Sequence, residues 1–181
     1  TEILLDVRRP GKPVVIEGQS GTGKTTCVKK ILERLGEGAS ATYLTARDAA
    51  DVSEIARVSQ APVAGTFVID DFQRLTQDVQ RSLGDIAKVA AERVTDNQDL
   101  PKLVLIGINQ IGSDLIQLVP DIAKRTGIHR IQPGTAAQIQ ELINAGCKEL
   151  NITFGNSEMI FSESRGDYWL TQQLCQSACA L

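Results

Sequence analysis

Short runs of β-branched and apolar residues alternate along this chain with stretches whose apolar positions recur every three or four residues. Pro13–Gly18 (PVVIEG), Ala41–Ala46 (ATYLTA), Thr66–Asp71 (TFVIDD), Lys102–Asn109 (KLVLIGIN) and Gly127–Ile131 (GIHRI) read as five strands. Their near-continuous apolar character suits strands covered on both faces, as in a parallel sheet. Between them, helical spacing predicts helices over Lys24–Leu35, Arg47–Gln60 and Ser113–Arg125. A long helix carries Leu75, Val79, Leu83, Ile86 and Ala90, and the DNQDLP stretch, Asp96–Pro101, ends it. Such alternation predicts βαβ units with right-handed crossovers, hence an α/β core built on a five-stranded parallel sheet flanked by helices.

After Gln132–Gly134 the strand patterns stop. Thr135 and Gln138 form a capping box, and the helix they open places Ile139, Leu142, Ile143 and Leu150 on one face. Further helical patterns follow near Ser157–Glu163 and from Tyr168 onward. The expected organisation is an α/β core over 1–132 and a small helical lid over 133–181, with Trp169 anchoring the lid core.

Composition narrows the class. A chain of 181 residues, 42% apolar, can bury a sizeable core, and with 4% aromatics that core must rest on Ile, Leu, Val and Ala. A net charge of −3 supplies no global field for a polyanion, so nucleic acid is not indicated by this segment. Cys27, Cys147, Cys175 and Cys179 form no CxxC pair, and His129 is the single histidine, so zinc is poorly supplied. They read as buried free thiols of a reducing compartment, and His129 as a packing residue. No apolar run approaches the roughly 18 residues of a membrane span, and the N-terminal TEILLDVRRP lacks a signal-peptide core. The expectation is a cytoplasmic protein. Its threonine start and the helical pattern running to Leu181 suggest a piece of a longer chain with sensor or effector domains beyond it.

The strongest chemical signal is Gly18–Thr25, GQSGTGKT, which fits G-x-x-x-x-G-K-[ST] directly between a strand and a helix. Backbone N–H groups wrapping a polyphosphate need torsions and close approach that glycine permits. The residues expected to line the cradle are Gly18, Gln19, Ser20, Gly21, Thr22, Gly23, Lys24, Thr25 and Thr26. The N-terminal dipole of the following helix adds partial positive charge. Lys24 supplies a mobile cation for the β- and γ-phosphates, and the Thr25 hydroxyl is a ligand for Mg²⁺.

GQSGTGKT resembles the Walker A loop of P-loop nucleoside triphosphatases, and TFVIDDFQRL resembles their Walker B strand. The resemblance implies that Asp70 holds Mg²⁺ through water. It also implies that Asp71 stands where many AAA+ proteins carry the glutamate that polarises attacking water, here one methylene shorter. Asn109, ending KLVLIGIN, matches sensor 1, whose strand lies between the Walker A and Walker B strands in that group. LVPDIAKRTGIHRI resembles the segment that offers an arginine finger to a neighbouring subunit, with Arg125 the best match and Arg130 the second. The C-terminal part is similar to the lid of AAA+ and STAND proteins. Where origin-recognition-like members carry Gly-Asp-x-Arg, this chain reads GDYW, with Trp169 at the arginine position.

These implications converge on ATP and Mg²⁺ as ligands. Adenine follows by elimination, since no N-K-x-D marks a GTPase and no L-S-G-G-Q marks a transporter ATPase. Ile3, Leu4, Leu5 and Val7 offer either an adenine floor or ordinary core packing. The leading expectation is an ATP-binding, ATP-hydrolysing regulatory module of AAA+ or STAND type that self-associates through a trans arginine. A loader or transposition-type ATPase acting on DNA, and a scaffold that binds nucleotide without turnover, are the alternatives.

Overall fold

The computed structural model describes residues 2–36, 41–93 and 100–180, and it groups the chain into two compact units. The first comprises Thr1–Gly18 and Lys24–Arg130; the second comprises Gln19–Gly23 and Ile131–Leu181.

In the first unit, β1 (Val14–Glu17), β2 (Ala41–Thr45), β3 (Gly65–Asp70), β4 (Pro101–Gly107) and β5 (Gly127–Arg130) form one sheet in the order β2-β3-β4-β1-β5. Every pairing is parallel, as the continuous apolar runs predict. The strand ending near Asn109 lies between the strands leading to the glycine loop and to the acidic pair, as the family resemblance implies. Side chains alternate across the sheet. Val15, Phe67, Ile69, Leu103 and Leu105 pack into one cluster with Ile55, Leu83, Ala87 and Leu115 from the flanking helices. Val14, Ile16, Val68, Val104 and Ile106 point the other way and are also fully buried. Both faces are therefore dry, and the strand ends are the places where polar side chains can gather.

The helices of this unit are α1 (Glu2–Arg8), α2 (Lys24–Leu35), α3 (Ala49–Gln60), α4 (Gln77–Glu92) and α5 (Ile111–Leu118). Asp48 caps α3 by accepting from the amides of Ala50 and Asp51, which starts that helix two residues later than its apolar spacing predicts. Leu75 precedes α4 and is buried beside a short 3₁₀ turn, while Leu83, Ala87 and Ala90 carry the buried face of the helix. Part of the predicted break, Asp96–Asp99, lies outside the described residues. The helix expected over Ser113–Arg125 ends at Leu118 and is followed by a 3₁₀ turn over Pro120–Ile122. Pro120 lacks the N–H that would continue the α-helical ladder. Of the apolar N-terminal residues, Val7 is buried whereas Leu5 faces solvent.

In the second unit, α6 (Ala136–Leu150), α7 (Ser157–Ser164) and α8 (Tyr168–Cys179) pack on one another. The capping box is present, with Thr135 and Gln138 bonding reciprocally. Ile139 and Ile143 are buried on the expected face of α6, while Leu150 is exposed. Trp169 does not anchor this unit: it is 62% exposed. Asp167 accepts from Leu170 N at 2.8 Å and fixes the start of α8, and Thr171 is the residue that turns inward, fully buried. Two residues along a helix is a rotation of about 200°, so Trp169 faces away. Cys147, Cys175 and Cys179 line an apolar groove of about 420 Å³ with Leu142, Ile152 and Phe154; Cys179 is exposed and the four thiols are free. No helix among the described residues is long and apolar enough to cross a membrane.

Candidate nucleotide and metal site

The glycine loop leaves β1 at the carboxyl edge of the sheet. Gly21 and Gly23 sit at φ of 77° and 81°, left-handed torsions that side-chain-bearing residues adopt only with strain. Thr22 ties the loop internally by donating to Gln19 O at 2.9 Å. Gly21 O accepts from Tyr168 N at 3.0 Å, and a Cβ on Gly21 would collide with the Asp167 carboxylate, so glycine is required there for two reasons. Lys24 opens α2 and its ammonium donates to Gly18 O at 3.0 Å, folding the lysine back along the loop. Ser20 and Thr26 are exposed, Thr25 half-buried. A turn of this composition, with positive-φ glycines leading into a helix N-terminus, has the donor chemistry of an anion cradle.

Thr25 and Asp70 are 45 residues apart and meet directly: Thr25 Oγ1 donates to Asp70 Oδ2 at 2.7 Å. Asp70 ends β3, and its other oxygen accepts from the Asp71 amide at 2.8 Å. Tyr43 of β2 also donates to Asp70 Oδ2. Burial and this carboxylate push the Tyr43 hydroxyl far above the usual phenol range, so it stays a donor. The three donors to Asp70, two hydroxyls and one backbone amide, are neutral groups. Among the described residues no cluster of three or more His, Cys, Asp or Glu side chains is suited to a metal. A hard cation here would take a hydroxyl and a carboxylate from the protein and complete its shell from phosphate and water, the habit of Mg²⁺.

Asp71 is held by different means. It sits in the left-handed region at φ 57°, which turns its side chain off the strand direction. Arg47, just beyond β2, grips it through two bonds, Nε to Oδ2 at 2.5 Å and Nη2 to Oδ1 at 3.0 Å. The guanidinium holds the Asp71 carboxyl below the usual carboxylate range against an opposing contribution from burial. Gln73 adds a third tie: its amide donates to Asp71 Oδ1 at 3.3 Å while its carbonyl accepts from Ile108 N, also at 3.3 Å. Ile108 immediately precedes Asn109, so one glutamine links the second acid to the end of the sensor-type strand. Asn109 itself is exposed in the turn between β4 and α5.

The structure brings Lys24, Thr25, Asp70 and Asp71 to the same sheet edge. Both arginine candidates have partners within their own unit. Arg125 donates to Asp121 O at 2.8 Å and pairs with Glu92 at 3.1 Å. Arg130 holds buried Glu17 at 2.7 and 3.0 Å, and Glu17 also accepts from Gly112 N at 3.0 Å. His129 faces Asp6 at 3.1 Å. Three residues of this edge have no motif of their own: Tyr43, Arg47 and Gln73. Their only sequence signal is position, since Tyr43 lies within a predicted strand, Arg47 just beyond its carboxyl end and Gln73 two residues past the acidic pair.

Neither a family model nor a curated protein matches this chain. Solved structures do. A point mutant of Thermotoga maritima RuvB superposes with a TM-score of 0.62 at 20% identity, covering 91% of this chain and 54% of that one. The ORC1 protein of Aeropyrum pernix, solved in complex with DNA, gives 0.61 at 18% identity over 94% of this chain and 55% of the other. Cdc6p of Pyrobaculum aerophilum gives 0.55 at 20% identity over 76% and 43%. The chain spans about half the length of the proteins it matches. With its sheet order, its glycine loop and its acidic strand end, it has the AAA+ type of P-loop NTPase fold.

Proposed function

We propose that this chain is a nucleotide-binding ATPase module that binds ATP with Mg²⁺ and uses the bound state to control self-association or signalling of a larger protein. The observation that carries the reading is the 2.7 Å bond between Thr25 and Asp70, which joins the loop helix to the acidic strand end. In this reading the amides of Gly18–Gly23 and the Lys24 ammonium hold the β- and γ-phosphates. Thr25 and, through water, Asp70 hold Mg²⁺, which offsets phosphate charge. Asp71 is the proton acceptor for water, and Asn109 orients the reacting groups. Arg125, after exchanging Glu92 and Asp121 for a neighbour's nucleotide, supplies charge to the phosphoryl oxygens.

Lys24→Ala tests the core of this proposal. Calorimetric titration with ATP and Mg²⁺ should show binding to the wild type and none to the variant; equal affinity would reject the cradle.

A second reading, nucleotide held with little turnover, is favoured by the Arg47–Asp71 pair. A carboxylate paired with a guanidinium through both oxygens has its basicity lowered, so it accepts a proton poorly. Turnover then requires Arg47 to let go. Action on DNA gains no support from the likeness to ORC1, because fold likeness at 18% identity carries no ligand with it.

A further inference from the structure

Tyr43 plays no part in the reading above, yet it touches the residue assigned to the metal. Its hydroxyl donates to Asp70 Oδ2, the oxygen that also accepts from Thr25 Oγ1. Its ring is covered by the Lys29 ammonium at 5.0 Å from the centroid. Lys29 lies one helical turn beyond Thr25 on α2, so the two side chains share a face. Thr25, Asp70, Tyr43 and Lys29 thus close a circuit of contacts linking α2, β2 and β3. With the Asp71 amide on Oδ1, the Asp70 carboxylate is held on both oxygens by neutral donors.

We propose that Tyr43 is a positioning residue for the divalent cation, its hydroxyl holding Asp70 Oδ2 against Thr25 so that the two form one oxygen-donor pair before the cation arrives. The proposal rests on the reading that the glycine loop binds a magnesium nucleotide. Its physical basis is pre-organisation. A carboxylate free to rotate loses that freedom when it engages a hydrated cation, whereas one already locked by a partner does not. Lys29 completes the device, because its contact keeps the ring in place whether or not the hydroxyl is present.

Tyr43→Phe isolates the hydroxyl while retaining the ring and the Lys29 contact. ADP is titrated calorimetrically in EDTA, and Mg²⁺ is then titrated into the ADP-loaded protein, for the wild type, Tyr43→Phe and Asp70→Asn. The expected result is unchanged ADP affinity in EDTA for Tyr43→Phe, with Mg²⁺ affinity lowered about tenfold, the lower end of effects from partners of metal ligands. Asp70→Asn should lose the Mg²⁺ contribution altogether. If Tyr43→Phe binds Mg²⁺ as the wild type does while Asp70→Asn does not, the Tyr43 proposal falls and the nucleotide reading stands. If Tyr43→Phe weakens ADP equally with and without Mg²⁺, the hydroxyl serves only to support the fold and the proposal falls. If the wild type binds no ADP under either condition, the underlying reading fails and takes the proposal with it.

Discussion

Asp70 and Asp71 are neighbours in the chain, yet their surroundings are opposite. The first receives two hydroxyls and an amide, all neutral donors. The second receives a guanidinium on both oxygens and is neutralised. One residue of separation suffices because Asp70 ends an extended strand and Asp71 turns into left-handed backbone, so the two side chains diverge. A carboxylate held by neutral donors beside a hydroxyl suits a hard cation, whereas one paired with a guanidinium on both oxygens must first lose that partner. Under the proposed function, the pair of acids that looks redundant in sequence divides into one residue that binds the cation and one that controls turnover.

The largest effect that would test this division comes from removing the second carboxylate. Asp71→Asn should lower ATP turnover by about a hundredfold, the scale of a lost general base. It should leave nucleotide affinity with Mg²⁺ intact, because Asp70 is undisturbed. Phosphate-release assays beside calorimetry separate the two quantities, and a loss of Mg²⁺-dependent binding in this variant would erase the distinction between the acids.

A smaller change of opposite sign is expected from Arg47→Ala. Freed from the guanidinium, Asp71 regains basicity, and turnover should rise about fivefold, roughly 1 kcal/mol in the barrier. A fall in turnover would mean that Arg47 orients Asp71 productively rather than restraining it.

The smallest effect is on stability. Asp71 has a depressed pKa in the folded protein, so its pairing stabilises above the ordinary carboxylate pKa and that contribution is lost as pH falls through the depressed value. The Arg47 side chain is 67% exposed, and solvent screening limits the pair to about 0.5 kcal/mol. Urea unfolding of the wild type and Arg47→Ala should therefore differ slightly at pH 7 and converge in acid. A gap that persists below the carboxylate range would assign the stabilisation to packing of the arginine stem.

Legibility follows interaction range. The five strands, the three C-terminal helices and the loop-forming glycines were readable because burial and backbone torsion are local demands, written in spacing and residue type. The 3₁₀ turn at Pro120 was equally local, yet helical spacing masked it. Trp169 misled because size and apolarity say nothing of azimuth; the Asp167 cap chose the face of α8 that turns inward. Tyr43, Arg47 and Gln73 carry no motif at all.

The chain by itself determined a parallel α/β sheet, a glycine-rich turn between strand and helix and an acid pair at a strand end, since each is written in local spacing and residue type. Only the tertiary structure decided that Asp70 meets Thr25 and Tyr43 while Asp71 meets Arg47 and Gln73. Strand order and the torsion at one residue set those pairings. Electrostatic partnership depends on distance in space, which residue spacing along the chain does not contain.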